Sequence, residues 1–357
     1  MKKWKTAMRL CLKIASMFCA AWCIAGSASA QNYAIGADVS FLAKCESDGI
    51  VFKEDGQPKD VLAILREHKY NWVRLRLFHD PGAASDKLPN DLDYTLALAK
   101  RAKAMGFHLL LDLHYSDSWA DPGKQPTPEA WKNLKHKQLV DQVFNYTRDT
   151  VAVFAREGVM PEMVQVGNEI TNGMLWPDGK LPDNFDNFAD LLKAGIRGVE
   201  AGRGAQPRPR IMIHIERSGN YDAAVWFFDN LIAHHVAFDV IGLSYYAEWH
   251  GGIAKLRGNL HDLALRYQRP IIVVETAYNW TPGYFIGKKS DFPESPEGQE
   301  EFLRAVDSAV RAIPNGLGQG VFWWEPAAEA ELHGRSFFDN DGNVLPVIHA
   351  LEGKRQP

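Results

Sequence analysis

Cysteine is scarce in this chain, and most of it lies at one end. The sequence has four cysteines, of which Cys11, Cys19 and Cys23 lie near the N-terminus and only Cys45 lies in the remainder. Once the N-terminal segment is removed, a single thiol remains and no intramolecular disulfide can form. A fold built on a disulfide framework is therefore excluded.

Long apolar runs are lacking as well. The stretch Ile14–Ile24 has about 11 apolar or small residues, whereas a membrane-spanning helix needs about 20. It follows five basic residues between Lys2 and Lys13 and precedes the small residues Ala28–Ala30, which is the pattern of a cleaved signal peptide. We expect residues 1–30 to be a secretory signal peptide. Residues 31–357 are then one domain, secreted or periplasmic, with no membrane segment.

Basic residues are not in excess, and the usual cofactor motifs are missing. Removal of the signal leaves 35 basic against 44 acidic side chains, a net charge of −9, so a nucleic-acid partner is not expected. The sequence contains no Gly-rich phosphate-binding turn, no His-Glu-x-x-His motif and no cysteine cluster. These patterns indicate nucleotide or metal binding. We therefore expect no cofactor and no metal.

What the sequence does contain is a regular alternation of short apolar runs with helix-like stretches. Eight such runs end in polar residues, which predicts an α/β fold, the single-domain (β/α)8 TIM barrel. A doubly wound open sheet is the alternative, but the Gly-rich turn that would favour it is missing. The runs are Tyr33–Ser40, Trp72–Phe78, Phe107–His114, Met163–Glu169, Arg210–Ile215, Val240–Tyr246, Ile271–Glu275 and Gly320–Glu325.

Two of the intervening stretches show helical spacing clearly. Apolar residues recur at helical intervals from Leu92 to Ala99 before Gly106, and from Val140 to Arg156 before Gly158. A glycine just past the last periodic residue is typical of a helix end. Because strands and helices alternate, the predicted sheet is parallel and buried on both faces.

Polar residues close the predicted strands, and in a barrel these positions meet at the C-terminal rim, where the chemistry takes place. Glu169 ends the fourth run, behind Gly167 and Asn168, and Glu275 ends the seventh. A single glutamate at such a place more often caps a helix or pairs with an arginine. Two on opposed strands are what glycoside hydrolysis needs: one protonates the leaving oxygen, and the other attacks the anomeric carbon or activates water.

Several longer motifs resemble glycoside hydrolase family 53, the endo-β-1,4-galactanases within the retaining clan A barrel glycosidases. The resemblance runs from Gly36 to Pro326, and its most specific stretch is residues 112–125, DLHYSDSWADPGKQ. It implies that Glu169 is the general acid/base and Glu275 the nucleophile of a retaining double displacement. The other matching stretches are Gly167-Asn168-Glu169-Ile170, Leu175-Trp176-Pro177, Asp239–Tyr246 and Trp249-His250-Gly251.

The neighbours of these glutamates are the next candidates. Asn168 resembles the asparagine that holds the sugar 2-hydroxyl, with a turn-forming amide as the alternative. One of two arginines, Arg74 or Arg76, and one of two tyrosines, Tyr245 or Tyr246, can donate hydrogen bonds to the nucleophile, and the residues alone do not decide between them. The other substrate-binding candidates, with core packing as the alternative for the histidines and tryptophans, are His114, Asp117, Trp119, Trp176, His214, Trp249, His250 and Trp324.

The chain departs from the family pattern at one loop. Ala247-Glu248 stands where the family commonly has Pro-Phe, so the subsites beside it are expected to differ. Some relatives bind calcium after the nucleophile, but Thr276–Gln299 looks too short and too poor in carboxylates for the six to eight oxygen ligands that calcium prefers. Asp339–Asn343 resembles a calcium-loop fragment without its bidentate glutamate, so a solvated turn is the better interpretation.

The sequence thus predicts a secreted endo-β-1,4-galactanase whose partner is a polysaccharide, the galactan of pectin side chains or type I arabinogalactan. A retaining barrel endo-glycanase acting on mannan or glucan has the same two-glutamate core, and only the resemblance separates the two. A non-catalytic sugar-binding barrel is the alternative from another class, although it would not need an acid/base pair. For the acid role we expect Glu169 in a drier, less cationic place than Glu275, with a raised pKa.

Overall fold

A closed ring of eight parallel strands forms the centre of the protein. The computed structural model describes residues 33–86, 88–283, 290–328 and 330–352, so the predicted signal peptide lies outside the described residues. The strands are β1 (Ala34–Asp38), β2 (Trp72–Leu77), β3 (His108–Leu113), β4 (Met163–Val166), β5 (Arg210–Ile215), β6 (Val240–Tyr245), β7 (Ile271–Thr276) and β8 (Gly318–Trp324). Each strand pairs with the next along the chain, and β8 pairs with β1. The predicted (β/α)8 barrel is confirmed, and every predicted run overlaps its strand.

Helices follow the strands on the outside of the ring. Asp60, Asp91, Asn220 and Ser295 accept hydrogen bonds from the first turn of the helix that each precedes, which satisfies backbone N–H groups that have no partner within the helix. The helices are α1 (Leu42–Ser47), α2 (Val61–Glu67), α3 (Leu92–Ala104), α4 (His136–Arg156), α5 (Phe185–Gly202), α6 (Tyr221–Ala233), α7 (Ala247–His250), α8 (Ile253–Tyr267) and α9 (Pro296–Arg311).

Glycine is required where the two predicted helices end. Gly106 and Gly158 follow α3 and α4 with φ of +80° and +73°, the left-handed region that glycine adopts without steric cost. Both predicted helices are present, and α4 begins four residues earlier than predicted, at His136. From Ala34 onward the chain forms one compact unit.

The interior of the barrel is packed at one end and polar at the other. A cluster of buried apolar side chains fills the end where the strands begin, with two residues from β7 and one from each other strand: Ala34, Trp72, Leu110, Met163, Met212, Val240, Ile272, Val274 and Phe322. The opposite, C-terminal rim is therefore the place for a site. Among the described helices, none has both the length and the apolar character that crossing a membrane requires.

Candidate active site

A tight turn after β4 carries the first glutamate. Gly167 has φ of +87°, and a Cβ added there would lie 2.7 Å from Cγ2 of Ile170, so glycine is needed on both counts. Glu169 itself adopts a left-handed conformation, with φ of 46° and ψ of 49°. A left-handed glutamate is uncommon and carries a steric cost. The turn ends the strand early and leaves the carboxyl group at the rim.

A register shift in the sheet positions the second glutamate. The pairing of β6 with β7 shifts between Leu243 and Ser244, so that Ser244 lies opposite Glu275. The pairing of β7 with β8 is irregular between Val273 and Thr276. Such irregularities change the direction in which a side chain points. Glu275 is thereby placed at the rim although it lies within a strand.

Both glutamates line one cleft at the rim. The cleft has a volume of about 780 Å³. Each glutamate is less than a tenth exposed, so only the carboxyl ends reach the cleft. This volume is within the range of sites that take small molecules or part of a polymer. The cleft is lined by Asp121, Pro122, Gly123, Glu169, Glu216, Arg217, Tyr246, Trp249, His250, Glu275, Trp324 and Arg335.

Two donors hold the carboxylate of Glu275. Nη1 of Arg74 donates to Oε2 at 2.9 Å, and the hydroxyl of Tyr246 donates to Oε1 at 2.8 Å. Each oxygen of the Glu275 carboxylate thus accepts one hydrogen bond from a side chain at the rim. A cation and a hydroxyl together complement a negative charge on this carboxyl group.

Arg74 is a buried cation at the centre of this network. Its guanidinium also donates to Asp38 and Asp112, each at 2.8 Å. Burial alone would lower the pKa of Arg74, but the charges of Asp112, Glu275 and Asp38 outweigh it and raise that pKa. Burial likewise acts to raise the pKa of Asp112, yet Arg74 and His114 bring it below its usual value. Arg74 and Asp112 thus favour the ionised state of each other.

Glu169 has the opposite environment. Burial raises its pKa well above the usual value, and the negative charge of Glu275 raises it further. Its Oε1 atom lies 2.5 Å from the hydroxyl of Ser244, and among the described residues no cation forms an ion pair with it. Glu275 therefore accepts hydrogen bonds from a cation and a hydroxyl, while Glu169 retains its proton to higher pH than usual. This division suits a nucleophile beside a general acid.

The amide of Asn168 contacts residues on the way to both glutamates: Arg74, which donates to Glu275, and His214. Its Oδ1 atom accepts from Nη2 of Arg74 at 2.8 Å and lies 3.0 Å from Nδ1 of His214, and its Nδ2 atom donates to the carbonyl of Ala120 at 2.9 Å. Gln165 donates to Oδ1 as well, at 3.1 Å. Several donors fix the amide orientation, so it is more than a turn-forming residue.

Four of the remaining predicted substrate-binding residues line the cleft: Tyr246, Trp249, His250 and Trp324. Trp249 lies on α7, which begins where the chain departs from the family pattern, and it is 71% exposed. An exposed indole at a cleft is unusual for a soluble protein surface, because Trp is highly buried on average. The choice between the two tyrosines is thereby decided, since Tyr246 is the one that contacts Glu275.

Three predicted residues make contacts within the protein and do not line the cleft. Tyr245 is fully buried, and its hydroxyl donates to the carbonyl of Gly251. The carboxylate of Asp117 accepts from the backbone N–H groups of Asp80 and Glu129, which uses it to fix a loop. His114 is buried against Asp112, and it orients that carboxylate behind Arg74.

The other arginine and the predicted residues Trp119 and Trp176 do not line the cleft. Arg76 pairs with the buried Glu325 and lies 4.5 Å above the ring of Trp119. Trp119 in turn lies 6.2 Å from the cleft residue Trp324, measured between ring centroids. Trp176 donates through Nε1 to the carbonyl of Asn172. Arg76 therefore supports Trp119, and Arg74 is the arginine that reaches the nucleophile candidate.

Sequence reasoning missed several cleft residues. Glu216 and Arg217 follow β5 directly, and their place just past an apolar run is the signal that would have found them. Burial raises the pKa of Glu216. Ser244 does not line the cleft but contacts Glu169, and it lies inside a matching motif without having been predicted as a site residue. Arg335 comes from the chain after β8, where no periodic pattern points to it.

The described residues offer little for a metal at the cleft. His68, His349 and Glu352 are the one group within them whose ligand atoms lie close enough to share an ion, and none of the three lines the cleft. In the region after β7, Asp291 accepts from the backbone of Ile253. Residues 284–289 of that region lie outside the described part of the chain.

Comparison with known proteins agrees with this geometry. Residues 34–351 match the sequence model of glycosyl hydrolase family 53. A protein of Aspergillus terreus named as a probable arabinogalactan endo-beta-1,4-galactanase A is 40% identical over 306 residues, which cover 82% of this chain and 85% of that protein. The GH53 catalytic domain of Ignisphaera aggregans is 34% identical with a TM-score of 0.82, covering 92% and 97% of the two chains. A fungal beta-1,4-galactanase structure is 32% identical with a TM-score of 0.82, covering 89% and 98%.

Proposed function

Because the chain belongs to glycosyl hydrolase family 53, we propose that this glycoside hydrolase is a secreted endo-β-1,4-galactanase that cleaves β-1,4-galactan with retention of configuration. The observation that carries the proposal is the contrast between Glu275, held by Arg74 and Tyr246, and the buried, cation-free Glu169. The galactanase names of similar proteins support the substrate. Residues 1–30 are the signal peptide, and residues 31–357 are the catalytic domain.

The two glutamates act in sequence. Glu275 attacks the anomeric carbon while the bond to the leaving oxygen breaks, and Glu169 gives its proton to that oxygen. Water then attacks the anomeric carbon of the resulting glycosyl ester, Glu169 takes a proton from the water, and Glu275 leaves as a carboxylate. Two inversions at the same carbon give retention.

Asn168 holds the sugar beside the nucleophile. Its Oδ1 atom is taken by donors from the protein, and one Nδ2 hydrogen is taken by the carbonyl of Ala120. The second Nδ2 hydrogen is the one that remains for a sugar 2-hydroxyl oxygen. A hydrogen bond at this position strengthens as the anomeric carbon gains positive charge in the transition state.

The cleft residues around the glutamates bind the rest of the chain of sugars. Trp249 and Trp324 present indole faces for stacking on the apolar faces of pyranose rings. Burial, with help from Arg217 and Lys255, lowers the pKa of His250 to about 4, so its imidazole is neutral near neutral pH. Its Nδ1 atom accepts from the backbone N–H of Tyr246, which leaves Nε2–H to donate to a sugar hydroxyl.

A substrate panel tests the proposal. Purified protein lacking residues 1–30 is incubated with β-1,4-galactan, mannan, xylan and cellulose, and the products are separated by chromatography. We expect galacto-oligosaccharides from galactan alone, and no product from the Glu275→Gln variant. Products from mannan or cellulose instead would contradict the substrate assignment. In a host with an export pathway, the exported protein should begin at Gln31.

A further inference from the structure

A line of buried hydrogen bonds leads from Glu169 into the barrel. Oε1 of Glu169 lies 2.5 Å from Oγ of Ser244, which lies 2.8 Å from Nε2 of His214. Nδ1 of His214 then lies 3.0 Å from Oδ1 of Asn168. Ser244 and His214 are completely buried, so water cannot supply missing partners from bulk solvent. Each contact in this line must contain one hydrogen atom, and these atoms can be counted.

The assignment of hydrogen atoms begins at Asn168, because its contacts fix the orientation of its amide. Its Oδ1 atom faces Nη2 of Arg74, which can only donate, and its Nδ2 atom faces the carbonyl of Ala120, which can only accept. Oδ1 is therefore an acceptor towards His214 too. Nδ1 of His214 must carry a hydrogen atom to make that contact.

The other nitrogen of His214 has no hydrogen atom. Burial lowers the pKa of this imidazole well below its usual value, and the charges of Arg74 and His114 lower it further. The charge of Asp112 acts in the opposite direction but does not outweigh them. The imidazole is therefore neutral, and a neutral imidazole that carries its hydrogen on Nδ1 has a bare Nε2. The hydroxyl of Ser244 must donate to this bare nitrogen.

The single hydroxyl hydrogen of Ser244 is then committed to His214. The remaining contact, from Oγ of Ser244 to Oε1 of Glu169, needs a hydrogen atom from the glutamic acid. We propose that Ser244, backed by His214, is a positioning residue that accepts the proton of Glu169 and so keeps this carboxyl group in its acid form in the free enzyme. The inference rests on the proposed role of Glu169 as the general acid/base.

Ionisation of Glu169 disturbs this arrangement. The Ser244 hydroxyl must turn to donate to the carboxylate, and Nε2 of His214 is left facing an oxygen lone pair in a buried place. An unsatisfied buried acceptor is costly, so the pair favours the protonated glutamate. The Ser244 hydroxyl thus turns towards Glu169 when Glu169 has given up its proton. It turns back towards His214 when Glu169 has taken a proton from water.

Other groups also act on Glu169, and the test must separate them from this pair. Burial, Glu275 and Glu216 raise the pKa of Glu169, Arg74 lowers it, and a hydrogen bond donated by the Ser244 hydroxyl lowers it as well. Of these causes, replacement of His214 by asparagine changes only the direction in which the Ser244 hydroxyl donates. The amide Nδ2 of asparagine can take the place of Nδ1 and donate to Asn168, but asparagine has no counterpart of Nε2. His214→Asn therefore releases the Ser244 hydroxyl and preserves the hydrogen bond to Asn168.

The first measurement is the pH profile of kcat/KM. Its upper limb, the fall in kcat/KM at high pH, reports the pKa of the general acid in the free enzyme. In His214→Asn the Ser244 hydroxyl is free to donate to ionised Glu169, so the upper limb should move to lower pH by about one unit. Ser244→Ala loses the acceptor of the Glu169 proton together with the donor to its carboxylate, so its downward move should be smaller than that of His214→Asn, and Ser244→Thr should retain the wild-type limb. An upper limb that stays or rises in His214→Asn overturns the proposal.

The second measurement needs no variant. In protein with 15N-labelled histidine, the NMR spectrum should show His214 with hydrogen on Nδ1 and a bare Nε2 between pH 5 and 8, a range in which ordinary histidines titrate. Hydrogen on Nε2 instead, or on both nitrogens, overturns the proposal. The result does not depend on the substrate, whereas failure of the proposed function would appear as wild-type protein that hydrolyses no galactan.

Discussion

Arg74 donates to Glu275 at 2.9 Å across the mouth of the barrel, from β2 to β7, and the same guanidinium makes no contact with Glu169. One cation thus distinguishes two carboxyl groups that share a cleft. Both glutamates are buried, but only Glu275 has a cation within hydrogen-bond distance. The proposed difference in role between the glutamates follows from this contact.

Replacement of Arg74 should affect both stability and activity. In Arg74→Met, Asp38 and Asp112 stay buried without their cation, which should cost about 3–5 kcal/mol of unfolding free energy. Arg74→Lys retains the charge but cannot donate in a planar fork to several acceptors, so its kcat should fall at least about 10-fold although the protein folds. Denaturant unfolding and initial rates check the two parts. The exposed Arg156 is a control, since Arg156→Met should change stability by less than about 0.5 kcal/mol.

The upper limb of the activity profile should depend on Glu216. Its negative charge is one of the causes of the raised pKa of Glu169. Glu216→Gln removes that charge, so ionisation of Glu169 becomes easier and the upper limb of kcat/KM should move to lower pH by about 0.3–0.5 units. Asp222→Asn, on the exposed first turn of α6, should leave the limb in place. A shift to higher pH would contradict this assignment of charge.

Strand-end patterning was enough to predict the barrel and the positions of both glutamates, because parallel strands end at a common rim. It was not enough to choose between Arg74 and Arg76, since residues two apart in a strand share a face. The choice depends on register: Arg74 lies opposite Asp38 of the neighbouring strand, and its guanidinium donates to Glu275. Register is a property of strand pairs, which a single run of sequence does not contain.

The tyrosine pair shows the same limit. Successive residues of a strand point to opposite faces, so one of Tyr245 and Tyr246 had to face away from the site. The shift in pairing at Ser244 decides which one, and nothing in the run Val240–Tyr246 signals it. Arg335 was beyond prediction for a different reason, because a loop residue reaches the cleft only through tertiary packing.

Trp249 should contribute to binding and not to folding. Its side chain is mostly exposed at the cleft, so Trp249→Ala should raise KM for galactan about 5- to 10-fold, with an unchanged melting temperature. Trp226 is a matched control, because it is 42% exposed but lies on the outer helix α6. Trp226→Ala should leave KM unchanged. Equal KM for wild type and Trp249→Ala would exclude the indole as a sugar platform.

Cleavage should occur within the galactan chain. Tyr246, Trp249 and Trp324 line the cleft together with the two glutamates, so we expect several sugar units of a polymer to bind there. The viscosity of a galactan solution should then fall well before reducing ends accumulate. Free galactose released from the start, at constant viscosity, would mean that the enzyme acts from a chain end.

Replacement of each glutamate by alanine should separate the two roles. Glu169→Ala lacks proton donation, so it should still react with an aryl galactoside whose leaving group needs no acid, and added azide should give the β-galactosyl azide with retained configuration. Glu275→Ala lacks the covalent step, so azide can attack only from the vacated face and should give the α-azide or nothing. NMR of the products distinguishes the anomers. The opposite pattern, with retained azide from Glu275→Ala, would reverse the roles, provided that circular dichroism shows both variants folded.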